Sequence, residues 1–134
     1  MNISAALQTL QDTVGAWPAL AAQPHRFGGV EFVHGKVEIG HIHRNGMIDI
    51  PLTVPLRRYL VAQGLAEPHH LLGDSGWVSF YVRQAEDVEG ALWLFRLSYL
   101  HKLRRRQPQR DWQPEIAQLN LEPTLRELLK LDAA

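Results

Sequence analysis

The stretch over residues 30–52, VEFVHGKVEIGHIHRNGMIDIPL, leaves this chain few folds to choose from. It is rich in β-branched residues and broken twice by hairpin signals, His34-Gly35-Lys36 and Asn45-Gly46. The spacing predicts three short antiparallel strands over 30–33, 37–43 and 47–52. Pro51 has no N–H for a ladder, so the third strand ends or lies at an edge there. A sheet of this kind buries one face, and the rest of the chain must supply the cover.

That cover reads as helical. Leu7, Leu10, Val14 and Trp17 recur at helical spacing, so 3–16 is expected to be an amphipathic helix, followed by a connector that includes AAQPHRFGG. TVPLRRYLVAQG has Thr53 as N-cap, Pro55 in its first turn and Gly64 as its stop. WVSFYV alternates as a strand over 77–82. The segment over 85–105 is the strongest helix, with Glu86, Asp87 and Glu89 at its start and a basic cluster at its end. Its stripe of Val88, Leu92, Phe95, Tyr99 and Leu103 should face the sheet. A second stripe of Trp93, Leu97 and Leu100 requires cover on another side. After Pro108 and Pro114, Leu121, Leu125, Leu128 and Leu129 form a short last helix opened by Pro123.

The expected class is therefore α+β, an antiparallel sheet with helices packed mainly on one face. The order is α-β-β-β-α-β-α plus a C-terminal extension. Residues 1–106 form the core domain and 107–134 pack on it.

The chain has 134 residues, no cysteine and equal numbers of basic and acidic residues, 14 of each. Thiolate metal sites and disulfides are excluded. No apolar run reaches the roughly 20 residues that span a bilayer, and the N-terminus has no signal-peptide pattern. These features read as a soluble, cytoplasmic protein with no membrane partner. The charge is segregated: HKLRRRQPQR is basic, and Asp111, Glu115, Glu122, Glu127 and Asp132 follow it. Arg104, Arg105 and Arg106 are the candidates for gripping nucleic-acid phosphates. The zero net charge argues instead for internal neutralisation.

Two stretches invite chemistry. Gly73-Asp74-Ser75-Gly76 surrounds the nucleophile in trypsin-like proteases, but here Trp77 follows and no double β-barrel is foreseen. Asp-Ser-Gly is ordinary turn chemistry, and Ser75 is read as a turn residue. The histidines carry more. His41 and His43 alternate on one strand and point to one face, about 6.5–7 Å apart at Cα. They can share a Zn²⁺ or Fe²⁺ ion or a polar ligand, with His69, His70, Asp49 or Asp74 completing the site, or they can be structural. A two-residue Asn45-Gly46 turn pairs His41 with Ile50. A three-residue Arg44-Asn45-Gly46 loop pairs His41 with Asp49. Both suit the sequence.

Gly40-His-x-His43, Asp49-Ile-Pro51, Pro68-His-His70, Ser75-Gly-Trp77 and Ser98-Tyr-Leu100 occur in an order that resembles the luciferase-domain family of small bacterial proteins. A more distant similarity is to the MmcQ/YjbR-like fold, described as a double-wing DNA-binding form. It shares the element order and transfers no functional residue. The family's name implies light emission; no luciferin or flavin site is read from these residues, and no P-loop or dinucleotide fingerprint appears, so the cofactor and the catalytic residues are left open. Two functions follow. One is a small-ligand-binding or enzymatic domain with a pocket lined by His41, His43, His69, His70 and Asp49. The other is a non-catalytic interaction module that uses its basic helix end.

Overall fold

Helices lie on one side of a six-stranded antiparallel sheet in the computed structural model, which describes residues 3–131; Asp132 lies outside these. The strands are β1 (Ala21–His25), β2 (Gly29–His34), β3 (Val37–Ile42), β4 (Met47–Pro51), β5 (Glu67–Pro68) and β6 (Trp77–Tyr81), arranged β1-β2-β3-β4-β6-β5. The helices are α1 (Ile3–Gly15), α2 (Val54–Ala62), α3 (Asp87–Arg106), α4 (Gln113–Leu119) and α5 (Pro123–Leu128). The expected α+β class holds, and the sheet gains an edge strand on each side. β1 occupies the segment read as a connector; Pro24 and its exposure hide it, yet an edge strand tolerates both.

Phe95 and Tyr99 of α3 are fully buried, as the helix stripe requires. Phe95 meets Phe32 edge to face at 5.6 Å and lies over Gly40, where an added Cβ would stand 2.7 Å from the ring. Tyr99 packs between Trp17 and Trp112, and its hydroxyl donates to the Pro18 carbonyl at 2.7 Å. Trp112, Ile116, Leu119, Leu125 and Leu129 carry the C-terminal segment into the same core. Thr53 caps α2 by accepting from the Leu56 amide, as its sequence position implies.

Two irregularities set the side-chain directions. The β3–β4 loop has three residues: the His43 amide donates to Met47 at 2.8 Å and Gly46 adopts φ +97°. This register pairs His41 with Asp49. In the β2–β3 ladder, Phe32 faces Gly40 while Val33 faces Glu38, so Ile39 is an extra residue, a β-bulge. Two residues on from the His41–Asp49 pair, Ile39 falls opposite Pro51, which has no N–H to offer. Ser98 of α3 donates to the Ile39 carbonyl instead, at 2.7 Å, so a buried acceptor is satisfied. Lys102 likewise donates to the Pro51 carbonyl.

Candidate active site

Directly paired residues share a sheet face. The registers therefore place Gln23, Glu31, His41, Asp49, Ser79 and Glu67 in one row across all six strands, on the face away from α3. At its centre Asp49 is 1% exposed and Ser79 is fully buried. The Ser79 hydroxyl donates to Asp49 Oδ1 at 2.6 Å. Around Asp49 Oδ2 stand His43 Nε2 at 2.7 Å, His41 Nε2 at 3.1 Å and His69 Nε2 at 3.6 Å. His70 Nδ1 lies 3.9 Å from Oδ1.

The bulge accounts for the next contact. Glu38 and His41 are three apart, which in a regular strand puts them on opposite faces. The extra residue brings Glu38 onto the histidine face, where Oε2 meets His41 Nδ1 at 2.5 Å. His41 thus has a carboxylate at each ring nitrogen. Burial favours its neutral form, but hydrogen bonds to Asp49 and Glu38 and their charges outweigh that and raise its pKa to about 9. For Asp49, burial pushes the carboxyl up. Hydrogen bonds from His41, Ser79 and His43 and the nearby His69 prevail and hold it well below the usual carboxylate range. Without a bound ion, His41 and Asp49 form an imidazolium–carboxylate pair.

His69 is set up differently. Its Nδ1 accepts from the Leu71 and Leu72 amides, both at 3.1 Å, so its proton sits on Nε2, facing Asp49. Burial lowers its pKa, and Asp49 only partly opposes this. The loop that carries it is the one containing Gly73-Asp74-Ser75-Gly76. Ser75 Oγ donates to the Leu72 carbonyl at 2.5 Å and accepts from the Trp77 amide at 3.1 Å. Its hydroxyl is used in the turn, as read from the sequence, and Asp74 stays exposed.

All five expected site residues converge: His41, His43, His69, His70 and Asp49. Sequence reasoning missed three more. His25, placed in the connector and outside the site, stacks on His41 at 3.9 Å with its Nδ1 2.9 Å from Glu31. Glu38 required the bulge. Trp77, assigned only to the strand over 77–82, has its ring 5.6 Å from that of His41 and 5.8 Å from that of His69. Ring centroids lie 3.9–6.5 Å apart through the cluster, with His25 stacked on His41 and His69 on His70. Solvent reaches the cluster at its rim. His41 is buried rather than at that rim, which is formed by the side chains of His43 (22% exposed) and His70 (36%).

The basic helix end is partly used internally. Arg104 donates to the Leu129 carbonyl at 3.0 Å, and Arg96 and Arg110 both bind Glu115. Arg105 and Arg106 are exposed. Among the described residues no helix is long and apolar enough to cross a membrane.

Residues 36–98 match the family model described as Luciferase domain. The match encloses His41, His43, Asp49, His69 and His70 and leaves out His25 and Glu31. No curated protein and no solved structure matches the chain.

Proposed function

Because the chain belongs to the luciferase-domain family through residues 36–98, we propose that it is a small-ligand-binding or enzymatic domain whose chemistry is proton transfer at the Asp49 cluster. The observation that carries this reading is one buried carboxylate with three imidazoles and a serine hydroxyl directed at it. Burying such groups where Val or Ile would pack brings no stability advantage. Polar clusters with displaced pKa values concentrate where chemistry uses them. At the rim the imidazole of His43 or His70 takes the ligand's proton, Asp49 orients the rings, and the His41 imidazolium offers positive charge to the ligand that has become anionic. The favoured ligand is a small molecule with an acidic proton, such as a carboxylic acid or an enol.

A thermal-shift screen with small carboxylic acids, phenols and enols tests this on the parent, His70→Ala and His34→Ala. At least one compound should stabilise the parent and His34→Ala but not His70→Ala. Compounds that stabilise all three equally, or a parent that responds to none, would overturn the reading.

A further inference from the structure

We infer that His41, His43 and Asp49 form the ligand set of a divalent transition-metal ion, zinc or ferrous iron, backed by Glu38 and Ser79. This rests on the proposed reading of the same cluster, with the ion supplying the positive charge that the His41 proton supplies in its absence. His41 Nε2 and His43 Nε2 lie 3.1 and 2.7 Å from Asp49 Oδ2. Ligand atoms bound to one ion at about 2.0–2.2 Å stand about 2.8–3.6 Å apart between octahedral and tetrahedral angles. Each imidazole nitrogen therefore stands within about 0.2 Å of the spacing from Asp49 Oδ2 that two ligands of one ion adopt. A ring nitrogen of His25 also lies within 4.8 Å of those of His41 and His43.

The support behind these ligands is the second observation. Metal-binding imidazoles usually donate the N–H of their other nitrogen to a carboxylate, which fixes the tautomer and turns the lone pair toward the metal. His41 has this arrangement, with Nδ1 on Glu38 at 2.5 Å. Asp49 is fixed through its other oxygen by Ser79. The ion would take the place of the proton that His41 Nε2 directs at Asp49. Two histidines and a carboxylate without sulfur suit zinc or ferrous iron and leave coordination positions open to a ligand.

The same reasoning excludes a neighbour. Asp49, His69 and His70 also gather ligand atoms within 4.8 Å. His69, however, uses its Nδ1 lone pair to accept two backbone amides. Its Nε2 therefore carries a hydrogen and has no lone pair for a metal. It donates toward the Asp49 carboxylate and stays outside the ligand set.

The experiment uses the full chain without a polyhistidine tag, stripped with chelator and titrated calorimetrically with Zn²⁺ and, under nitrogen, with Fe²⁺. One ion should bind per chain with micromolar or tighter affinity. His41→Ala and His43→Ala should each weaken binding by about 100-fold or more, and Glu38→Gln by about 10–100-fold. His34→Ala should bind as the parent does. Circular dichroism checks that each variant is folded. Where an alanine variant unfolds, the nearly isosteric Glu38→Gln decides. A parent that binds neither ion, or variants at positions 38, 41 and 43 that bind like the parent, would overturn the metal centre. Ligand binding that depends on His70 in a protein that takes up no metal would sink this inference alone. A metal-binding protein without such a ligand would sink the proposed function alone.

Discussion

Ser79→Ala removes one hydroxyl from the floor of the cluster and thereby tests the charge on Asp49. The bond it deletes is 2.6 Å long and joins two side chains that are at most 1% exposed. A bond to an ionised acceptor contributes about 1.5–3 kcal/mol, and one between neutral groups about 1 kcal/mol. His70 Nδ1, 3.9 Å from Asp49 Oδ1, is too far to replace it. The expected loss is therefore about 2 kcal/mol, a fall of about 6–10 °C in Tm for a chain of this size. Urea melts with chelator present, so that no ion contributes, give the cost directly, and the m-value should not change. Repeating the substitution in an Asp49→Asn background supplies the control, because the serine then donates to a neutral amide oxygen and its loss should cost only about 1 kcal/mol. Equal costs in the two backgrounds would refute the ionised carboxylate, and with it the account of the whole cluster.

Burial and the neighbouring charges of Lys102, Arg105 and Arg104 lower the His101 pKa to about 4. The unfolded chain then binds a proton between about pH 6.5 and 4 that the folded chain refuses, so stability falls as the pH drops through that window. Discounted for partial exposure, the effect is about 1–2 kcal/mol, and urea melts of His101→Gln should show a correspondingly flatter acid limb. Gly40→Ala should cost about 1–3 kcal/mol, since its Cβ would press on the buried Phe95 ring; a melt unchanged from the parent would contradict that packing. Arg104→Ala should lose about 1 kcal/mol with its bonds to the chain after α5. Arg105→Ala/Arg106→Ala should melt like the parent. Both the parent and that double variant should bind duplex DNA weakly or not at all at physiological salt, as fluorescence anisotropy would report.

Alternation made much of the site readable. His41 and His43 share a face because they are two apart, and the three-residue loop among the two readings open at Asn45-Gly46 brings Asp49 opposite His41. His69 and His70 were legible because their loop leads into the strand that flanks β4. The rest depended on features without a local pattern. His25 sits in an edge strand written AAQPH, where Pro24 and small residues suppress the β signal. Glu38 lies at the wrong parity unless a bulge is present, and a bulge has no reliable signature in one sequence. The stacking of the rings was not legible either: spacing assigns side chains to a face but does not say how rings on that face pack against one another.

The bulge at Ile39 has an evolutionary consequence. Its side chain belongs to the core, its carbonyl is held by Ser98 of α3, and the residue before it supplies a carboxylate to His41 on the far side of the sheet. A substitution that releases the Ser98 contact favours regular alternation in β3. Regular alternation turns Glu38 toward the helices and leaves His41 with Asp49 alone. Lineages of such a chain can therefore retune the proton affinity of His41 through inherited changes in the opposite layer, with every residue of the cluster unaltered.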